Sequence, residues 1–386
     1  MAMFSKEYLG NKVFLEQTLS FNRVGKYSGS ITSGAFPQPN GDMLMRLYIP
    51  GAITVKLHVS VSNTVFTELI LKDAGDDIFE GTLPFDERMS GPANVKVYVN
   101  GAEVLMPDLP IIWTDNRPQN NLEMPDKNGE YLLVKDVPHG SLTREIIYSR
   151  STGNFERCLV YTPSGYHTGS GDYPVLYLLH GGGDNESMWE YVGKMSSILD
   201  NLRAEKKAKD FIVVMMNGML RSGGTTGNVS GLVDKTFEDM LLGDCIPFIE
   251  KNYRVKTDKW NRAIAGLSMG AYMSCDIGFS HPELFGSIGT FTASMSKSDA
   301  FAEYERPYRK VLKEGAENFE KQYKLYWRST TPQENHPEFF EADDELLKEA
   351  GIYQLPCHHR KLYSGTTSKW SSWRQGFRDF AELVFR

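Results

Sequence analysis

Between residues 41 and 105 apolar and polar side chains alternate with a period of two. In "ITVKLHVSV" (53–61) Ile53, Val55, Leu57, Val59 and Val61 fall on one face, and Thr54, Lys56, His58 and Ser60 on the other. That alternation predicts a half-buried strand, with His58 on its exposed side. "MLMRLYIP", "TVFTELILK" and "NVKVYVNGAEVL" repeat the pattern, the last with Asn100-Gly101 as a tight hairpin turn. Several short strands separated by turn signals predict a β-sandwich.

The following stretch, "MPDLPIIWTDNRPQNNLEMPDKNGE", is rich in Pro, Asn and Asp and reads as a linker. Beyond it the rhythm changes. Short apolar runs such as "PVLYLLH", "FIVVMMN" and "RAIAGL" alternate with helical segments such as "FEDMLLGDCIPFIEKNY". Buried parallel strands alternating with helices predict an α/β sheet covered on both faces. The pattern therefore divides the chain into an all-β domain with its linker over residues 1–122 and an α/β domain over residues 123–386. A length of 386 residues fits two domains.

Composition narrows the partners. The formal net charge of −7 argues against nucleic acid. The longest apolar run, "FIVVMMNGML", is far shorter than the roughly 18 residues of a spanning helix, so no membrane partner is expected. Cys158, Cys245, Cys275 and Cys357 are widely spaced with no CxxC pair, which predicts buried thiols and neither a zinc site nor a disulfide framework. No metal or cofactor is implied. "MAMFSKEYLGNKVF" lacks the apolar centre of a secretory signal. The compartment stays open, a secreted or periplasmic one with the signal removed being favoured over the cytoplasm.

The chemistry concentrates in "RAIAGLSMGAYMS" (262–274), a strand, a serine flanked by glycines, and a helix start. This is the G-x-S-x-G arrangement that presents a serine nucleophile, here Ser268, on a strained turn. The helix beginning near Met269 aims its amides and dipole at developing negative charge. Some 80 residues earlier, "YPVLYLLHGGGDNESMW" (173–189) ends a buried strand in His180 and three glycines. Such a loop supplies an oxyanion amide in serine esterases. The candidate donors are the amides of Gly182 and Met269.

On these residues, with "VPHG", "VYTPSGYH", "IPFIEKNYRV", "NRAIAGLSMGA" and the terminal "WSSWRQGFRDF", the chain from about residue 130 onward resembles the esterase-D-type esterases. That group includes the feruloyl and acetyl xylan esterases of carbohydrate esterase family 1. The β-rich region, through "MRLYIPGA" and "VYVNGAEVLMPD", resembles the immunoglobulin-like, glycogen-binding-type module fused to such enzymes. The resemblance implies an α/β-hydrolase domain preceded by a small all-β immunoglobulin-like sandwich. It implies a serine carboxylic ester hydrolase of plant cell-wall xylan, acting on feruloylated or acetylated arabinoxylan or its oligosaccharides. A trilactone siderophore esterase and a non-catalytic glycan-binding protein are the rival readings.

One departure from the family bears on the mechanism. Members place the base histidine as G-x-H-x-W-x-x-W-R; aligning Trp370, Trp373 and Arg374 in "TTSKWSSWR" puts Ser368 at that position. Serine cannot serve as a base near neutral pH, so activity is expected to be weak or lost. The resemblance places the triad acid at Glu334, with Glu338 and Asp343 as alternatives, and leaves His336 on the same loop as a substitute base. Trp189 and Trp370 are candidate linings of a sugar or phenolic subsite, whereas Trp373 is expected to pack in the core.

Overall fold

A computed structural model of the chain describes residues 2–15, 17–22, 30–62, 64–220, 235–292, 295–296, 305–332, 337–363 and 369–386. It divides into two compact units, Met1–Asp136 with Gly365–Ser371 and Val137–Ser364 with Ser372–Arg386.

The first unit opens with two single-turn helices, α1 (Lys6–Leu9) and α2 (Lys12–Leu15). Five strands follow: β1 (Thr18–Asn22), β2 (Ser30–Pro37), β3 (Met43–Tyr48), β4 (Val55–Ser60) and β5 (Phe66–Gly75). Then come β6 (Ile78–Leu83), β7 (Gly91–Val99), β8 (Ala102–Val104), β9 (Ile111–Thr114) and β10 (Arg117–Met124). The pairing order is β1-β2-β3-β6-β5-β4-β7-β10-β9, with β8 on β7. β5 is where the two layers meet: Phe66–Leu71 pair with β4, while Lys72, Asp73 and Gly75 pair with β6 across a bulge. A strand that changes sheets in this way makes the corner of a sandwich. Val55, Leu57 and Val59 of β4 enter the core with Met43, Met45 and Leu47 of β3, while Lys56, His58 and Ser60 face outward. The β7–β8 turn holds Asn100 and Gly101 at φ 51° and 86°, as a two-residue hairpin of this hand requires.

The expected linker is not one. It contains β9 and β10, joined at Asp115-Asn116, both at positive φ. The unit ends at Asp136 rather than near 122. The cause is chemical: β10 buries three amides beside only two apolar core side chains, Leu122 and Met124. Gln119, Asn120 and Asn121 are all buried. Asn120 replaces a stretch of ladder, its Oδ1 accepting from Met106 N and its Nδ2 donating to Met106 O, both at 2.8 Å. Satisfied amides of this kind leave no period-two hydrophobic signature.

The second unit is an eight-stranded sheet of β11 (Ser141–Ser149), β12 (Asn154–Thr162), β13 (Val175–Leu179), β14 (Ile212–Met216), β15 (Arg262–Leu267), β16 (Ser287–Phe291), β17 (Leu325–Thr330) and β18 (His358–Leu362). Its order is β11-β12-β14-β13-β15-β16-β17-β18. The pairs β11–β12 and β12–β14 are antiparallel, and the remaining neighbours are parallel. Every residue of β13, β14 and β15 is buried, as strands covered on both faces must be. The helices are α3 (Met188–Tyr191), α4 (Met195–Ala204), α5 (Thr236–Met240), α6 (Ile246–Asn252), α7 (Met269–Ser280), α8 (Pro307–Gln322), α9 (Pro337–Glu349) and α10 (Lys369–Leu383). A π-turn, Leu241–Cys245, joins α5 to α6. This is an α/β-hydrolase unit. Among the described residues no helix is long and apolar enough to cross a membrane.

Candidate active site

β14, β13 and β15 lie side by side, and their carboxyl ends bring together Asn217, His180 and Ser268. In open α/β sheets that edge is where ligands bind. Ser268 follows β15 directly and carries φ 50° and ψ −116°, a backbone state an L-residue adopts only under constraint. The constraint is visible. Ser268 N donates to Phe291 O at 3.1 Å, fixing the turn to the end of β16, while Ser268 O accepts from the amides of Ala271 and Tyr272 to start α7.

The flanking glycines are required by close packing. A Cβ on Gly266 would stand 2.5 Å from the Gly270 carbonyl carbon, and one on Gly270 would stand 2.6 Å from His180 O and 2.7 Å from Leu179 O. Backbone therefore lies against backbone on both sides of the serine. The result is a serine that is partly exposed although its neighbours Leu267 and Met269 are buried.

The glycine loop after β13 adjoins this turn. A Cβ on Gly181 would lie 3.6 Å from Ser268 Cβ, and one on Gly182 would lie 4.0 Å from Met269 Cβ. Gly182 is exposed. Among the described residues, the amides of Gly182 and Met269 meet no hydrogen-bond acceptor. Two neighbouring free amides at a helix N-terminus can stabilise an oxyanion formed on a carbonyl attacked by Ser268.

His180 lies under the loop, 2% exposed. Its Nε2 accepts from Gly218 N at 2.9 Å, so the proton sits on Nδ1, which donates to Gly181 O at 2.7 Å. Burial lowers its pKa to about 4, against the hydrogen bonds to Gly181 and Asn217, so the ring is neutral at pH 7. The sequence pattern marked His180 only as the first letter of a glycine loop. Its partner Asn217-Gly218 has its own sequence signal, the polar-glycine stop that ends β14.

Trp189 is a correction. It is 1% exposed, donates Nε1–H to Leu179 O at 2.9 Å and packs its ring on Phe291 and Phe377. It is a core residue and offers no face to a sugar or phenol. Trp373 is buried as anticipated, and Trp370 is half-buried in the first turn of α10. Arg374, fully buried, donates through Nε to Val192 O at 2.7 Å.

Glu334, His336 and Ser368 lie outside the described residues. Of the alternative acids, Glu338 is exposed in the first turn of α9. Asp343 is fully buried and occupied: it accepts from Met295 N, from Ser296 N at 2.9 Å and from Ser296 Oγ at 2.6 Å, with Arg328 Nη2 at 3.5 Å. Burial raises its pKa and Arg328 opposes the rise. Asp343 clamps residues 295–296, and both of its oxygens are engaged by them, with Arg328 beside Oδ2. Of the other described histidines of this unit, His167 is exposed, edge-on to Tyr166, and four are engaged elsewhere. His139 bonds Asp200, His281 bonds Glu238 and Glu283, His358 donates to Tyr353 O, and His359 stacks on Trp327.

Comparison with known proteins agrees with this geometry. A family model described as "Putative esterase" matches residues 149–381. An endo-1,4-beta-xylanase/feruloyl esterase of Xylanibacter ruminicola is 34% identical over 273 residues, covering 69% of this chain and 35% of that protein. The chain thus spans about a third of that relative's length. Among solved structures, a ferulic acid esterase of Anaeromyces mucronatus superposes with a TM-score of 0.53 at 23% identity, over 65% of this chain and 93% of the other. The enterobactin esterase of Shigella flexneri does so with a TM-score of 0.60 at 14% identity, over 98% of both. At these identities the two structural likenesses show the fold.

Proposed function

The chain belongs to this esterase family and is a carboxylic ester hydrolase, and on that premise we propose that Ser268 is its nucleophile and that its substrates are feruloyl or acetyl esters of arabinoxylan. The observation that carries the nucleophile is the constrained Ser268 turn lying against the Gly181–Gly182 loop. Ser268 Oγ attacks the ester carbonyl as its proton passes to solvent, the amides of Gly182 and Met269 receive the oxyanion, the alkoxide leaves and takes up a proton from solvent, and water releases the acid from the acyl-enzyme. Support for the polysaccharide ester comes from the xylanase/feruloyl esterase relative, which is 34% identical over 69% of this chain. The β-rich unit is read as the part that holds the polysaccharide, and the enzyme as one working outside the cytoplasm.

Ser368 stands where the family's base is expected, with Glu334 as the acid that would orient it. Loss of a triad histidine costs on the order of a million-fold in rate, about 8 kcal/mol. Oxyanion stabilisation and binding still leave roughly 10³–10⁴ over water. This protein is therefore a slow esterase as its sequence stands. The test is hydrolysis of methyl ferulate, feruloylated arabinoxylan and a catechol trilactone by the protein and by Ser268→Ala. Slow ferulate release that Ser268→Ala abolishes supports the reading. Preference for the trilactone would move the substrate to siderophores, and tight xylan binding with no Ser268-dependent turnover would make the protein a glycan binder.

A further inference from the structure

We propose that His180 is a positioning residue for the oxyanion: by donating Nδ1–H to Gly181 O it sets the direction in which the Gly182 amide points. The inference rests on the serine-esterase reading above and adds a residue to it. In a planar trans peptide the carbonyl of one residue and the N–H of the next point in opposite directions. The Gly181 carbonyl and the Gly182 N–H belong to one such plane. Whatever pulls the carbonyl toward the protein interior turns the amide outward, and Gly182 is on the exposed side, beside Met269.

Two donors hold that carbonyl. His180 Nδ1 lies at 2.7 Å and Asp184 N at 3.3 Å, so the imidazole bond is the tighter. Glycines at 181 and 182 leave the peptide plane free to rotate, which makes an external hold necessary. His180 is itself held: Gly218 N donates to Nε2 at 2.9 Å, which fixes both the ring and the tautomer. Gly218 in turn adjoins the nucleophile turn, because a Cβ there would be 3.2 Å from Met269 Cε. One imidazole thus ties the ends of β13 and β14 together and orients one of the two amides at Ser268. Only a neutral ring can do this, since a proton on Nε2 would oppose the Gly218 N–H.

Two isosteric substitutions separate this role from mere core filling. In His180→Asn the side-chain Nδ2–H takes the place of Nδ1–H and the Gly181 bond is kept. In His180→Gln the side-chain Oε1 takes the place of Nε2, keeping the Gly218 bond and losing the donor to Gly181. The readouts are kcat and KM on p-nitrophenyl acetate and the rate at which a fluorophosphonate labels Ser268. In the labelling, a bond forms from Oγ to phosphorus as fluoride leaves and the hydroxyl proton goes to solvent. His180→Gln should lose about 10²–10³ in kcat and in labelling rate with KM little changed, as for loss of an oxyanion donor. His180→Asn should remain within about tenfold of the parent. Melting temperatures of both variants establish that they are folded. Equal rates in the two variants, or a folded His180→Asn as slow as His180→Gln, would overturn the proposal. Ser268→Ala is run alongside. If it retains turnover and the site resists labelling, the serine reading itself fails; if it abolishes both while His180→Gln matches the parent, only the His180 inference fails.

Discussion

At the Ser268 turn, backbone lies against backbone. Cβ atoms on Gly266 or Gly270 would overlap main-chain atoms of the neighbouring segment, and the serine is driven to positive φ. In β10 of the other unit the crowding is of a different kind. Gln119, Asn120 and Asn121 are buried side chains, and Asn120 hydrogen-bonds the amide and carbonyl of Met106 and the carbonyl of Leu109. The first region is intolerant because no atom can be added. The second is intolerant because no polar group can be removed. Distinct substitutions should therefore break each.

The strongest test asks whether the Ser268 turn lacks only a base. Ser368→His should raise kcat/KM on methyl ferulate by several orders of magnitude, toward the roughly million-fold that a triad histidine supplies. The restored activity should follow a titration near the ordinary histidine pKa of about 6.5. An unaltered rate in a folded variant would mean that the deficiency lies in the turn itself.

Acid should separate the two regions next. His180 and His358 each have a folded-state pKa lowered to about 4, burial being the main cause. The unfolded chain titrates near 6.5, so between these values it binds more protons than the folded one. The stabilisation is complete above pH 6.5 and is lost as pH falls to 4, at about 3 kcal/mol for each ring. Asn120 and Gln119 have no proton to gain. Urea unfolding from pH 8 to 4 measures the uptake, and His180→Asn and His358→Asn should each reduce it by about one proton.

Gly270→Ala tests the steric half directly. Its methyl would meet two carbonyl oxygens at 2.6 and 2.7 Å, neither of them on a flexible side chain. A loss of about 3 kcal/mol or more is expected by chemical unfolding, at the upper end of overpacking costs. Asn120→Ala tests the polar half. It strands the amide of Met106 in a buried setting, while Met106 O keeps only the 3.4 Å bond from Leu109 N, and should cost about 2 kcal/mol in the β-rich unit, leaving ester hydrolysis unchanged.

The same contrast explains what the sequence disclosed. β4 was legible because Val55, Leu57 and Val59 enter an apolar core while Lys56, His58 and Ser60 do not. β13, β14 and β15 were legible as unbroken apolar runs, and the Ser268 turn because glycine is the only answer to main-chain contact. β9 and β10 were read as linker because buried amides look like surface composition. Trp189 was placed at a subsite because an aromatic near a catalytic loop carries no mark of its burial; its partners Phe291 and Phe377 are remote in sequence. His180 was named without its task, since Gly218 is 38 residues away. Asp343 stood as an alternative to Glu334 for the triad acid because nothing local shows that the amides of residues 295 and 296 bond it.

The smallest effect sharpens the comparison from the other side, by asking whether a glycine in the same unit that faces no main chain is dispensable. Gly243 sits within the π-turn Leu241–Cys245, exposed, with no atom within 4 Å of where a Cβ would stand. Its carbonyl accepts from Arg150 Nη2 at 3.3 Å, a bond that an alanine would keep. An alanine there narrows the unfolded ensemble without adding a clash, so Gly243→Ala should stabilise the unit by roughly 0.5–1 kcal/mol. Gly243→Ala and Gly270→Ala are the same chemical change 27 residues apart, expected with opposite signs. Urea midpoints for the pair measure it. A destabilising Gly243→Ala would show that the π-turn itself requires glycine, and that main-chain contact is not the only thing glycine answers in this unit.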